Sequence, residues 1–352
     1  MKILETQILD CTMRDGSYAV NFQFSSDLTG VVSSGLDQLG IPLIEVGHGI
    51  GLGASRISGN SAAASDVEYM HATSQSVVRG DWGMFCIAEI GTIYDLEMAK
   101  EFGMDFVRIG CEVNETEKAK LLIEHARKIG LYVFSNLMKS YAIPAKHFAL
   151  SASECIKYGA QCVYIVDSAG GMLPHQIKTY AKALRDLHPD VNIGFHGHNN
   201  IGMAVANTLS CIEDKFYVVD TSLQGIGRSS GNAPTEQLYA ALIRSDFEVD
   251  IDIIELMDLS EVHIKPFMRA IGIDSLDLSA GLALFHSSYL KKVLEVSSQF
   301  KIDPRRLVIE ICKHDRISAP NELILSCAKR IYDSTGQIDR RFSEKYYGQE
   351  QK

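Results

Sequence analysis

The sequence predicts a (β/α)8 barrel followed by a helical C-terminal domain, and three observations carry that expectation. Short apolar runs of strand character recur eight times within the first ~225 residues. Stretches of helical period separate them, such as those from Thr116 to Lys128 and from Pro174 to Leu187. After Pro234 the strand pattern stops, and from about Asp246 the chain reads as helices.

The strand candidates, in order, are LETQILDC, LIEVGHG, GMFCIAEI, DFVRIGCE, LYVFSNLM, QCVYIVDS, NIGFHGHN and YVVDTSLQG. They are apolar without clean alternation, which fits parallel strands buried on both faces. Strands alternating with helices specify α/β architecture, and eight such units close a barrel rather than extend an open sheet. The later segments IIELMDLSEV, SSYLKKVLEVSSQF and NELILSCAKRIYD carry apolar residues at helical spacing. The expected division is a barrel over 1–245 and a helical domain over 246–345, with a frayed polar end, FSEKYYGQEQK.

Composition narrows the function. Of 352 residues 46% are hydrophobic and 22% charged, as in ordinary globular proteins. A net charge of -10 without a basic block argues against a nucleic-acid partner, and its plain reading is solubility. The eight cysteines form no C-x-x-C pair, and several lie in apolar runs such as CVYIV, so reduced thiols in a cytoplasmic protein are expected. No secretory signal core opens the chain, and no stretch approaches the ~20 apolar residues of a membrane span.

Active sites of such barrels form at the C-terminal ends of the strands. That rule selects Arg14 and Asp15 after the first strand, Glu45 and His48 after the second, and Arg108 and Glu112 on the fourth. It adds Asn136 and Lys139 from the fifth, Asp167 and Ser168 from the sixth, and His196 and His198 from the seventh. The H-G-H pair is the sharpest signal, because residues i and i+2 of a strand face the same side. Two imidazoles there suit a divalent metal, although one His of such a pair often serves only as a hydrogen-bonding group. Gly197 between them allows close approach of backbone or ligand. Asp15, expected at the end of an adjacent strand, would supply a carboxylate as third ligand. Two His and one carboxylate suit Mn, Fe, Co or Zn better than Mg or Ca. Arg14 reads either as a structural ion pair with Asp15 or as a fork for a carboxylate or an enolate oxygen. The segment QGIGRSSGNAP reads either as a tight loop or as a backbone cradle for an anion, and it fits neither a Walker loop nor a dinucleotide fingerprint.

TMRDGSY, IEVGHGIGLG, IVDSAGGM, GFHGHNNIGMAVAN and GIGRSSGNAPTE, in that order, resemble the 4-hydroxy-2-oxovalerate aldolases. These belong to a wider group of metal-dependent barrel enzymes that includes hydroxymethylglutaryl-CoA lyase and isopropylmalate synthase. The resemblance continues through GLALFHSSYLKKVLE and the segment from Asn321 to Tyr332, and so covers nearly the whole chain. It implies that Asp15, His196 and His198 hold a divalent ion, typically Mn2+, with Co2+, Mg2+ or Zn2+ as alternatives. It implies that Arg14 stabilises a pyruvate enolate formed from a 2-oxo acid. It also implies an acylating aldehyde dehydrogenase as a possible partner, and a homo-oligomer is expected.

The chain departs from that pattern at three positions. Tyr18 stands where the family has His, and His286 stands before S-S-x-L where the family has Tyr. Either the two residue types have changed places, with His286 as base and Tyr18 orienting substrate or donating a proton, or the positions drifted independently and activity changed. Arg228 replaces a small residue, either to bind an extra substrate carboxylate or to make an ion pair. His48 and Ser168 are further candidates for the substrate pocket, and Glu45 reads as support behind it. The competing functions are an acyl-CoA lyase or synthase and a scaffold that has lost aldolase activity.

Overall fold

A computed structural model describes residues 2–57, 59–268 and 275–335, so the polar end expected to fray lies outside the described residues. Eight parallel strands close a barrel: β1 Gln7–Asp10, β2 Leu43–Val46, β3 Asp81–Ile87, β4 Phe106–Glu112, β5 Tyr132–Met138, β6 Cys162–Asp167, β7 Asn192–Gly197 and β8 Val218–Thr221. Each pairs with its sequence neighbours, and β8 closes the ring on β1 through Leu9 opposite Asp220. All eight strand candidates of the sequence are strands.

A helix follows every strand: α1 Ser26–Gln38, α2 Asp66–Ser76, α3 Ile93–Glu101, α4 Lys120–Lys128, α5 Ala145–Tyr158, α6 Pro174–Leu187, α7 Ala204–Glu213 and α8 Thr235–Arg244. Their starts are written locally. Ser65 and Thr92 close capping boxes with Glu68 and Asp95, each satisfying two N-terminal amides that the helix itself leaves open. Beyond the barrel come α9 Ile253–His263, α10 Ser275–Ala283, α11 Leu290–Phe300, α12 Pro304–Cys312 and α13 Asn321–Thr335. One strand contact appears where none was expected after Pro234. Phe247–Glu248 pairs in parallel with Lys2–Ile3, a two-residue ladder too short to leave a pattern.

The main core lies between barrel and helices, and Leu256 and Ile264 of the α9 region join it. A second core, including Phe285, Val293, Leu307, Ile311 and Ile324, lies under α11–α13. All eight cysteines are buried and unpaired. Among the described residues no helix is long and apolar enough to cross a membrane.

The barrel interior decides where the chemistry sits. Its floor is aromatic, with Phe106, Phe134 and Tyr164 packed edge to face. Two strand glycines make room: a Cβ on Gly83 would lie 2.3 Å from the Phe106 ring, and one on Gly194 would lie 2.4 Å from the Tyr164 ring. Such interiors are normally filled by branched aliphatics in layers drawn from alternate strands. Here one layer from β2, β4, β6 and β8 consists of Glu45, Arg108, Tyr164 and Asp220, joined by hydrogen bonds and ion pairs. Two of its members, Glu45 and Arg108, were among the residues selected at the barrel mouth, and the layer bonds directly to two others, Arg14 and His196.

Candidate active site

The turn after β1 brings the first two groups. Asp15 opens a 3-10 turn over Asp15–Val20, with Arg14 just ahead of it, and both side chains are buried. Arg14 donates through Nε to Glu45 Oε2 at 2.7 Å and through Nη1 to Asp15 Oδ1 at 2.6 Å. Its guanidinium stacks 4.7 Å from the Phe85 ring centroid. Two corners of the fork are thus held by carboxylates, and among the described residues Nη2 makes no hydrogen bond. Burial works against both charges, yet Glu45 and Asp15 hold the Arg14 guanidinium firmly protonated. Burial likewise opposes the Asp15 carboxylate, and Arg14, His198, His196 and Arg228 overcome it, so that Asp15 stays ionised well below the usual range.

β7 delivers the histidines. His196 and His198 face the interior with ring centroids 5.1 Å apart. Gly197 faces the other way, where the Phe195 ring would lie 2.6 Å from its Cβ, so the gap serves packing rather than a ligand. Asp15 is not on a neighbouring strand as expected, because β8 lies between β7 and β1. It reaches the pair because it sits on the turn beyond β1 and is held from the β8 side. Asn232 Nδ2 donates to Asp15 Oδ2 at 2.8 Å, and the Arg228 amide does so at 3.3 Å. The glycine-rich loop after β8 therefore cradles a carboxylate of the protein itself. It turns so tightly that a Cβ on Gly231, at φ +82, would lie 2.0 Å from the Gly225 carbonyl.

One donor atom each from Asp15, His196 and His198 lies within 4.8 Å of the others. The donor set suits a divalent cation on three grounds. Asp220 accepts from His196 Nδ1 at 2.7 Å, which leaves Nε2 for a ligand. Among the described residues His198 Nδ1 is buried without a hydrogen-bond partner. Burial, with Arg228 adding to it, holds the His198 imidazole well below its usual pKa and hence neutral, as a ligand must be. A second trio, Cys11, His196 and Asp220, meets the same spacing. It is the poorer choice, because Asp220 already accepts from Arg108 and Tyr164, and burial pushes the Cys11 thiol well up.

The remaining candidates line the mouth in different ways. His48 engages both ring nitrogens with its own loop, to the Asn60 carbonyl at 3.1 Å and the Ile50 amide at 3.1 Å, and stacks on Phe22. Tyr18 packs edge-on to Phe22. Ser168 Oγ accepts from the Lys139 amide at 3.1 Å, and Asp167 closes the loop after β6 by accepting from the Gly171 and Met172 amides. Arg228 is buried and donates to the Ser168 carbonyl and to Ser287 Oγ, each at 2.8 Å. It thereby ties the barrel to the turn that carries His286. His286 Nδ1 accepts from the Ser288 amide at 3.2 Å and lies 2.7 Å from Ser288 Oγ. Burial, with Arg228, Lys139 and His198 nearby, holds the His286 imidazole neutral. Lys139 completes the tie, reaching Glu112 at 3.0 Å and the Ile317 carbonyl at 2.9 Å.

Sequence reasoning passed over Asp220 and Asn232, and named Arg108 without giving it a role. A signal existed for Asp220, since it lies two residues after Val218 and so shares that residue's interior face.

A model of the HMGL-like family matches residues 5–262. The 4-hydroxy-2-oxovalerate aldolase of Carboxydothermus hydrogenoformans is 36% identical over 94% of this chain and 98% of its own. That of Thermomicrobium roseum is 34% identical over 92% and 91%. Two solved structures share the fold. The N-terminal domain of a candidate aldolase from Bacteroides vulgatus has a TM-score of 0.70 at 22% identity, covering 83% of this chain and 98% of that one. The carboxyl transferase domain of Rhizobium etli pyruvate carboxylase has a TM-score of 0.74 at 16% identity, covering 94% and 60%. The family match spans the whole barrel and the relatives align nearly end to end, so the chain belongs to the HMGL-like family, in the branch that holds the 4-hydroxy-2-oxovalerate aldolases.

Proposed function

We propose that the protein is a divalent-metal-dependent aldolase that cleaves a 4-hydroxy-2-oxo acid to pyruvate and an aldehyde, or joins the two. The observation that carries this reading is the meeting of Asp15, His196 and His198 with the half-occupied fork of Arg14 at one barrel mouth. Asp15, His196 and His198 would hold the ion, proposed to be Mn2+, which when bound supplies positive charge where the enolate develops. Arg14 then presents Nη2 to the same developing charge, fixed in place by Glu45 and Asp15. Ser168 and Arg228 border the place for the substrate carboxylate, and His48 shapes the pocket through the loop it holds.

Cleavage moves one proton. The 4-hydroxyl gives it up, the C3–C4 electrons pass to the enolate, and C3 receives a proton to become the methyl of pyruvate. His286 is the proposed base. Its ring is neutral, and its lone pair is on Nδ1, the atom that accepts from the Ser288 amide. The proton therefore reaches it through Ser288 Oγ, 2.7 Å away. Tyr18 orients the hydroxyl, or hands its own proton to C3 and regains one from water as His286 releases its proton to solvent, so that the enzyme ends as it began. The same proposal takes the helices beyond the barrel, of which α9 packs into the barrel core and α11–α13 build a core of their own, as the part that docks an acylating aldehyde dehydrogenase, in a cytoplasmic homo-oligomer.

The test is pyruvate release from 4-hydroxy-2-oxo acids of increasing chain length, with Mn2+ and with EDTA. Release that needs the metal supports the reading. No release from any member by protein with bound Mn2+ would overturn it.

A further inference from the structure

We propose that Arg108 is a positioning residue that couples the substrate anchor Arg14 to the metal-facing His196. The proposal rests on the reading of those two residues given above. Arg108 projects from β4 into the barrel and is fully buried. Its Nη1 donates at 2.7 Å to Glu45 Oε2, the same oxygen that accepts from Arg14 Nε at 2.7 Å. Its Nη2 donates to Asp220 Oδ2, the same oxygen that accepts from His196 Nδ1 at 2.7 Å. One guanidinium thus ends on two carboxylate oxygens, and each of those oxygens holds one active side chain.

The chemistry of the fork makes the coupling specific. A guanidinium is planar and its donors are fixed relative to one another, so it sets both the separation and the plane of the two carboxylates. Tyr164 completes the mount. Its ring lies 4.5 Å from the guanidinium carbon, and its hydroxyl donates to the other Asp220 oxygen at 2.9 Å. A lysine would keep the charge and lose this geometry.

Stability alone does not account for the arrangement. Replacing a buried ion network by apolar side chains of similar volume is often neutral or stabilising, and barrel interiors are normally built that way. Glu45 Oε1 and Arg108 Nε also find no protein partner among the described residues. A layer that leaves polar atoms in this state, bonded directly to the proposed site, is better suited to aiming side chains than to stabilising the barrel.

The test compares wild type with Arg108→Lys, Glu45→Gln and Asp220→Asn. Three quantities are read: Mn2+ affinity from the EPR signal of the free ion, oxalate affinity at saturating Mn2+, and thermal unfolding. Oxalate is the probe because it is a planar anion shaped like the pyruvate enolate. For folded Arg108→Lys, the Mn2+ Kd rises by about 10–100-fold and the oxalate Kd by about tenfold. Asp220→Asn weakens Mn2+ most and, through the released Arg108 fork, oxalate by about threefold, and Glu45→Gln weakens oxalate most and Mn2+ by about threefold. A structural role would lower the unfolding temperature and leave both affinities of the folded protein in place. Folded Arg108→Lys that matches wild type within about twofold in both affinities overturns the coupling. If Arg108→Lys does not fold, the two single-arm variants decide, and the coupling falls if each moves only its own constant. Wild-type protein that binds no Mn2+ would overturn the metal reading and the coupling together, which separates that failure from the others.

Discussion

Replacing Asp15 by Asn probes the proposed centre with the least change of shape. The carboxylate accepts from Arg14 Nη1 at 2.6 Å, Asn232 Nδ2 at 2.8 Å and the Arg228 amide at 3.3 Å. An asparagine oxygen can still accept from the last two. Its amide must then face Arg14, donor against donor, and the charge that offsets the guanidinium is gone. Breaking a buried pair costs roughly 3–5 kcal/mol. Because Glu45 still holds Arg14 through Nε, the lower end applies, about 3 kcal/mol, or a fall in Tm of roughly 5–10 °C. Loss of a supporting partner behind a metal ligand already costs about 10–100-fold in affinity, so loss of the anionic ligand itself raises the Mn2+ Kd by more than about 100-fold. Thermal unfolding with and without Mn2+ reads both effects. At about 100 times its Kd the ion stabilises wild type by about 2.7 kcal/mol, and Asp15→Asn shows no such shift. A variant that keeps the metal-induced shift, or binds Mn2+ within about threefold of wild type, would refute Asp15 as a ligand.

Three further outcomes follow from the geometry. Burial pushes the Asp10 carboxyl up to about 6, against hydrogen bonds from Thr12 and Thr235 that pull it down. With the folded pKa raised, its contribution is fully present below the unfolded value near 4 and is lost as pH rises through about 6, at a cost of up to about 3 kcal/mol. Asp10→Asn keeps an acceptor for Thr12, so it should gain roughly 1–3 kcal/mol over wild type in urea unfolding at pH 8 and nothing at pH 4, and equal stability at pH 8 would refute this. Gly194→Ala forces a Cβ against the Tyr164 ring and should destabilise by about 3 kcal/mol while loosening Asp220 and Mn2+ binding, and a fully stable variant would contradict the packing. His286→Ala should lower kcat by more than about 100-fold and Ser288→Ala by about tenfold, with Tyr18→Phe acting mainly on KM, whereas unchanged turnover in His286→Ala would remove it as the base.

Much of this was legible in the sequence. Parallel strands buried on both faces are written as unbroken apolar runs, so CVYIVD reads as β6 and its followers as helices. The three proposed metal donors were legible because H-G-H places two side chains on one face and M-R-D-G sits at a strand end. What stayed hidden depends on contacts far apart in the chain. Arg108 meets Asp220 across 112 positions and Asn232 meets Asp15 across 217, and neither pairing leaves a local pattern. The expected adjacency of the Asp15 and His strands failed for a related reason. Strand order follows from closure of the ring, and the side chain reaches across β8 on a turn whose course no periodicity encodes. The glycine-rich loop looked open to an anion because its glycines were visible, whereas the carboxylate it holds is 213 residues away at Asp15.

The most direct measurement bears on enolate formation alone and does not depend on which aldehyde is released. Pyruvate is incubated with the protein in D2O with Mn2+, the ion is removed with EDTA, and deuterium at C3 is read by mass spectrometry. The expected result is exchange that requires both the metal and Arg14, present in wild type and absent from Arg14→Lys and from the EDTA-treated enzyme. Metal-loaded wild type that leaves the methyl group undeuterated would contradict the proposal that this site stabilises a pyruvate enolate.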